Sequence, residues 1–85
     1  MITRTVTIGA SLGIRSASLF VQTANRFASD INIQIDEKIA NAKSLMGIMS
    51  LGIMEGQQIQ LLAEGHDAKQ ALSMLERFFQ GPFHD

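Results

Sequence analysis

Two different spacings of apolar residues divide the chain into strands and helices. Apolar and polar residues alternate over residues 2 to 8, 31 to 35 and 59 to 63. This period of two, rich in β-branched residues, predicts strands with one buried face. A shorter alternation over residues 39 to 42 follows the polar residues DEK, so the second and third strands are predicted to form a hairpin. The pattern therefore indicates a sheet of four strands.

Three other segments repeat apolar residues every three or four positions, which is the spacing of an amphipathic helix. The first begins near Ile14. A short second helix is predicted after Ser44, a good N-cap, and is expected to end near Gly52. The third is predicted after Asp67, which with Gln70 three residues later has the spacing of a capping box.

The predicted order is therefore β-α-β-β-α-β-α, which indicates an α+β fold. This order favours a four-stranded antiparallel sheet with the helices packed on one face. The Thr and Gln residues at alternate strand positions would lie on the other, solvated face. A chain of 85 residues builds one thin core, so we expect residues 1–85 to form a single domain. No apolar run resembles a signal peptide or a membrane span, and a cytoplasmic location is expected.

Composition then narrows the chemistry. Seven basic and eight acidic residues give a net charge of −1, and they are scattered, so we expect no direct binding to nucleic acid. The absence of Cys excludes thiolate catalysis and Cys-based metal sites, and no other metal-ligand spacing is present, so no metal or cofactor is expected. His66 and His84 have no evident carboxylate or nucleophile partner and are expected at the surface, which argues against an enzyme.

The first segment that could carry function is the predicted entrance of the first helix, GIRSA at residues 13 to 17. Free N–H groups and the positive end of the helix dipole, beside Arg15, would suit an anion. The same residues also fit an ordinary helix start with Gly13 as its N-cap. Spacing alone leaves both interpretations open.

The second segment is NAKSLMGIMSLGI at residues 41 to 53. Ser44 is either an N-cap alone or also a modification site. The residues that follow contain more apolar side chains than one buried stripe needs: Leu45, Met46, Ile48, Met49, Leu51, Ile53 and Met54. They either all pack into the core, or some form an exposed Met-rich patch that suits a protein partner.

These segments carry a resemblance to a known family. LFVQTANRFASDI and NAKSLMGIMSLGI closely resemble the HPr family, the small phosphocarriers of the bacterial sugar phosphotransferase system, and the match runs from about Thr3 to Phe79. The resemblance implies an open-faced β-sandwich, in which three helices cover a four-stranded antiparallel sheet. This agrees with the order of elements predicted above.

The resemblance also reveals what is missing. In the family, a His at the start of the first helix takes a phosphoryl group from phosphoenolpyruvate by way of enzyme I. Aligning FVQTA without a gap places Gly13 at that His, Arg15 at the motif Arg and Ser16 at the following Pro. Sliding the alignment by two residues places Arg15 at the His position, and arginine is no nucleophile either. Both alignments lack the phosphoacceptor.

A chain without this His that keeps the serine segment resembles the catabolite-repression HPr-like proteins of Gram-positive bacteria. The resemblance implies that HPr kinase/phosphorylase phosphorylates Ser44 with ATP, and that the phosphorylated form is a corepressor for a LacI-type catabolite control protein. It also implies a surface that contacts the partners, formed by Arg15, Lys43, Leu45, Met46, Ile48 and Met49. The Ser at position 16 departs from both branches, and members of this branch commonly carry Gln where Gly13 stands.

Two alternatives remain open. The chain could be a phosphocarrier of the phosphotransferase system that uses another residue, such as His66 or His84. It could instead be a diverged relative that binds a partner without phosphorylation. The first strand ends at Gly9 beside a short linker, so either a monomer or a homodimer with exchanged strands is conceivable.

Overall fold

The computed structural model describes residues 1–9 and 12–80, and every element predicted from the sequence is present within them. The elements are β1 (Ile2–Thr7), α1 (Ile14–Ala24), β2 (Asp30–Ile35), β3 (Lys38–Asn41), α2 (Leu45–Ser50), β4 (Gln58–Glu64), α3 (Ala68–Leu75) and a short 3-10 helix (Glu76–Phe79). The α+β class and the four-stranded antiparallel sheet are therefore confirmed. None of the helices in the described residues is long and apolar enough to cross a membrane.

The sheet has the strand order β1-β4-β2-β3, so β1 and β3 are its edges. Strand alternation places one residue set of each strand against the helices. Ile33 of β2, for example, lies opposite Leu61 of β4 and Ala40 of β3, and all three are buried. Residues of the opposite set, such as Gln60 beside Thr5, lie on the face that the helices leave open. The predicted solvated face is thus the outer face of the sheet.

The core lies between the inner face of the sheet and the helices, and aromatic residues close one end of it. Phe20 of α1 is fully buried, with its ring 5.5 Å from that of Phe78 and 5.4 Å from that of Phe79. The carbonyl of Phe79 accepts a hydrogen bond of 2.6 Å from the N–H of Gly9. The 3-10 helix therefore connects α3 to the end of β1.

The prediction of a capping box at the start of α3 is wrong. Asp67 occupies the N-cap position, but its side chain makes no capping hydrogen bond. Its carboxylate instead accepts hydrogen bonds from the backbone N–H of Ala28 (2.9 Å), from the N–H of Ser29 (3.0 Å) and from the Ser29 hydroxyl. Asp67 therefore ties the α1–β2 loop to the start of α3, and Gln70 has no part in these bonds.

These contacts make the stability of the fold depend on pH. The Ser29 hydroxyl first, and then the N–H of Ala28, lower the pKa of Asp67 from 3.8 to about 2. Because the folded pKa lies below the unfolded one, the ionised carboxylate stabilises the fold above about pH 4, and this contribution is lost as the pH falls through about 2. We expect Asp67→Asn to lower the melting temperature at pH 7 and to match the wild type at the acid end. Thermal unfolding followed by circular dichroism measures this.

Asp30→Asn, at an exposed position at the start of β2, is the matched control for loss of one negative charge. The melting temperatures of Asp30→Asn and the wild type should not approach each other as the pH falls, as those of Asp67→Asn and the wild type should. A constant difference in melting temperature between Asp67→Asn and the wild type from pH 7 to pH 2 would contradict the assignment.

Candidate functional site

Ser44 begins α2, as the sequence predicted. Its backbone is extended, its Oγ accepts a hydrogen bond of 3.1 Å from the N–H of Gly47, and its carbonyl accepts one of 3.0 Å from Ile48. The residue is only partly buried. Its side chain thus satisfies one of the unpaired donors at the helix start and stabilises this turn.

The apolar residues around α2 divide into two groups. Ile48, Leu51 and Ile53 belong to the buried core, whereas Met46 and Met49 are 82% and 44% exposed. The excess of apolar residues is therefore explained by branched side chains that pack inward and methionines that remain at the surface. The expectation that Ile48 contacts a partner is wrong, because only 2% of the residue is exposed.

Leu45 and Met54 complete the surface of this segment. Leu45 is partly buried and packs against the edge of the core, so part of its side chain remains accessible. Met54 is 63% exposed and follows α2 in the loop that leads to β4. The helix ends where predicted, since Ser50 is its last residue and Gly52, with a φ of 59°, follows two positions later.

Lys43 was expected to face a partner, but its ammonium group is bound within the fold. Its Nζ donates a hydrogen bond of 2.8 Å to the carbonyl of Phe27, just beyond α1. The Asn25 side-chain amide donates to the carbonyls of Val21 (2.8 Å) and Lys43 (3.3 Å). A cation is favourable at this end of a helix, where carbonyls are unpaired. Lys43, the residue before Ser44, is therefore held against the end of α1 through both its ammonium group and its carbonyl.

The entrance of α1 is an ordinary helix start without a side-chain cap. Gly13 is the exposed N-cap residue, with extended backbone, and its carbonyl accepts a hydrogen bond of 2.9 Å from Ala17. A Cβ atom added at Gly13 would meet no atom within 4 Å. Arg15 is exposed, whereas Ser16 is 3% exposed and lies inside. The N-cap interpretation of Gly13 is thus confirmed, and the space beside it would accommodate a larger residue.

Two exposed apolar residues of α1 were missed as contact candidates. Ile14 and Leu19 are 68% and 46% exposed, on a helix that packs against α2. A signal was available for Leu19, because it falls outside the spacing of three and four residues that joins the buried Ala17, Phe20 and Ala24. Exposed apolar side chains on both helices widen the surface that a partner protein could contact.

The remaining candidates within the described residues do not form a reactive centre. His66 is exposed in the turn between β4 and α3, and His84 lies outside the described residues. Among residues 1–9 and 12–80, no group of three or more His, Asp or Glu side chains could hold a metal ion. The described part of the chain therefore presents a capped serine and an apolar surface, which suit modification and binding.

Comparison with known proteins identifies relatives of this chain. A family model described as the PTS HPr component phosphorylation site matches residues 2–81. The HPr-like protein Crh of Bacillus subtilis is 45% identical over 75 residues, which cover 88% of each chain. The crystal structure of a phosphocarrier protein HPr from Bacillus anthracis is 47% identical with a TM-score of 0.88, over 93% of this chain and 96% of that one. A crystal structure of the B. subtilis Crh, described as a dimer with a swapping domain, is 43% identical with a TM-score of 0.76, over 94% of each chain.

Proposed function

The chain belongs to the HPr family of the phosphotransferase system, and we propose that within it this protein is a regulator of carbon catabolite repression. In this proposal HPr kinase/phosphorylase phosphorylates Ser44 with ATP. The phosphorylated protein then acts in the cytoplasm as a corepressor that binds a LacI-type catabolite control protein. It binds and signals, and it catalyses no reaction of its own.

The observation that carries the proposal is Gly13. Sequence identity does not separate the two branches, because a Crh protein and a phosphocarrier HPr are 45% and 47% identical to this chain. A phosphocarrier needs a nucleophilic side chain. The alignment without a gap places Gly13, which has no side chain, at the position of the family's His. The nearby Ser16 hydroxyl is buried. Ser44, which is partly accessible at the N-terminus of α2, is the hydroxyl that we assign as the phosphorylation site.

The geometry around Ser44 explains how phosphorylation would change binding. A phosphoserine carries a charge of about −1.5 to −2, and a helix N-terminus tolerates this charge. Lys43 already donates to Phe27, so we expect the partner to supply Arg or Lys side chains to the phosphate. Each such charge-assisted hydrogen bond contributes about 1.5 to 3 kcal/mol, which is tenfold or more in affinity.

The surface that meets the partner, called the docking face below, consists of Arg15, Leu45, Met46 and Met49. The two methionines supply flexible apolar contacts, and the exposed Arg15 supplies a cation. Residues 12 to 28 and 40 to 54 contain two Arg and one Lys but no Asp or Glu. The docking face therefore suits a partner that combines apolar and acidic side chains around its phosphate-binding cations.

A homodimer with exchanged strands is a second proposed state of this chain. The B. subtilis Crh crystal structure is described as a swapping-domain dimer. Here β1 lies at the edge of the sheet and pairs with β4 alone, from Ile2 opposite Ala63 to Thr7 opposite Gln58. The same pairs could form with β4 of a second copy.

Labelling with two phosphate donors tests the proposal. We expect mass spectrometry to find one acid-stable phosphate, on Ser44, after incubation with ATP and HPr kinase/phosphorylase. Incubation with phosphoenolpyruvate and enzyme I should add none, because Gly13 offers no acceptor. The same samples under native conditions report the monomer and dimer fractions.

An acid-labile phosphate on His66 or His84 would instead establish the phosphocarrier alternative. A protein that accepts phosphate from neither donor but still binds the repressor would be the diverged relative without phosphorylation. A phosphocarrier HPr with its His, treated in parallel, shows that enzyme I is active.

A further inference from the structure

Methionine is the residue type in this chain that a peroxide is expected to oxidise first. The chain contains five Met residues and no Cys, Trp or Tyr. Thiols and thioethers are the side chains that such oxidants convert first, and the thiol is missing here. The fate of this protein under oxidation therefore depends on which methionines solvent reaches.

The methionines differ in exposure and in position. Met46 and Met49 on α2 are 82% and 44% exposed, Met54 in the following loop is 63% exposed, and Met74 on α3 is 41% exposed. Met1 is 77% exposed. Because susceptibility follows exposure, Met46 should react ahead of Met49 and Met74. Met1 and Met74 provide exposure-matched comparisons outside α2 for Met46 and Met49.

We propose that Met46 is a modification site, which hydrogen peroxide or an organic peroxide oxidises to methionine sulfoxide, and that this oxidation weakens binding at the docking face. The thioether sulfur attacks one peroxide oxygen, an S–O bond forms and the O–O bond breaks. Sulfur loses two electrons and the peroxide gains them. The second oxygen takes up the proton and leaves as water, or as an alcohol from an organic peroxide.

The effect on binding, which rests on the proposed function, follows from the polarity of the product. A sulfoxide oxygen is a strong hydrogen-bond acceptor, and an apolar pocket that fits a thioether offers it no donor. Met46 lies two residues after Ser44. Phosphate on Ser44 would strengthen binding and oxygen on Met46 would weaken it, so one short helix would carry two opposing modifications.

The fold should survive this oxidation. Among residues 1–9 and 12–80, Met46 is the most exposed of the large hydrophobic residues. The side chain that α2 contributes to the core is Ile48. Adding an oxygen atom to Met46 therefore removes no core contact. The modification would act on binding rather than on folding.

The test is made on the full chain in its native state. The protein is treated with hydrogen peroxide, sampled over time and mapped by peptide mass spectrometry, while circular dichroism follows its melting temperature. We expect Met46 sulfoxide to accumulate roughly twofold faster than Met49 or Met74 sulfoxide, with an unchanged melting temperature. After Ser44 phosphorylation, the oxidised protein should bind the repressor at least tenfold more weakly, and methionine sulfoxide reductases should restore the affinity.

Leucine variants identify the responsible residue. Met46→Leu should keep its repressor affinity after peroxide treatment, whereas Met74→Leu should lose affinity as the wild type does. Oxidation of Met74 as fast as Met46, or affinity of the Met46 sulfoxide form within twofold of the reduced form, would overturn the proposal. Failure of the reduced, phosphorylated protein to bind would overturn the proposed function and the effect on binding. The oxidation map needs no partner and decides the modification site independently.

Discussion

Ser44→Ala is expected to abolish ATP-dependent phosphorylation by HPr kinase/phosphorylase, and with it the phosphate-dependent binding of the repressor. The substitution removes the hydroxyl that would accept the phosphate, and the methyl group of alanine cannot carry it. Mass spectrometry of the kinase reaction measures the first effect. Titration of the repressor with kinase-treated protein, in parallel for variant and wild type, measures the second.

The same substitution also removes a helix cap, so its controls must separate the two roles. Loss of the Gly47 N–H to Ser44 Oγ hydrogen bond should cost about 1 kcal/mol of folding stability. Ser44→Asn keeps an oxygen that can cap the helix but has no hydroxyl, so it should melt close to the wild type and still accept no phosphate. Ser50→Ala, at an exposed position of the same helix, should be phosphorylated normally. Phosphate found on Ser44→Ala, or undiminished repressor binding, would refute the role of Ser44.

Secondary structure was predictable because the apolar alternation in the strands is regular. Residues 31 to 35 were predicted as a strand, and the observed β2 is Asp30–Ile35. The alternation also fixes which side of each strand is buried, since a shift by one residue would expose Ile31 and Ile33 together. Local pattern and tertiary packing agree in the central strands, whereas Ile2 and Ile39 on the two edge strands are 37% and 60% exposed. The order of elements followed from the sequence because the central alternation is regular.

Side-chain partners were not predictable where they depend on residues distant in sequence. Asp67 followed by Gln70 has the spacing of a capping box, and nothing in that spacing distinguishes a cap from another use of the carboxylate. The fold brings the N–H groups of Ala28 and Ser29 to this carboxylate across 39 and 38 residues. Lys43 is a similar case, because its acceptor on Phe27 becomes available only when α2 packs beside the end of α1.

The candidate site was predictable in its residues but not in their exposure. The six residues of α2 are too few for their periodicity to show which apolar side chains face the core. The structure assigns Ile48 to the core and Met46 to the surface. The importance of Gly13 came from the family resemblance, since an isolated sequence gives no reason to expect a histidine there.

Gly65→Ala is expected to produce the largest loss of stability among the variants considered. Gly65 has a φ of 148°, a conformation that residues with a Cβ rarely adopt, and a Cβ atom there would lie 2.8 Å from Cα and 2.9 Å from Cβ of Ser29. Backbone strain and overpacking each cost roughly 1 to 3 kcal/mol. Moving Ser29 away would in turn break its hydrogen bonds to Asp67. We expect a loss of about 2 to 5 kcal/mol, or on the order of 10 to 40 °C in melting temperature, measured by urea and thermal unfolding.

Gly13→Ala is the matched control, because it adds the same methyl group at a residue with a φ of −78° and no atom within 4 Å of the new Cβ. Its stability should stay within about 1 kcal/mol of the wild type, because alanine reduces the entropy of the unfolded chain but is a poorer N-cap residue than glycine, and the two effects oppose each other. Equal stability of the two variants would contradict the close approach of Gly65 to Ser29. Their difference would show that the α1–β2 loop and the start of α3 are held together by a contact that only glycine permits.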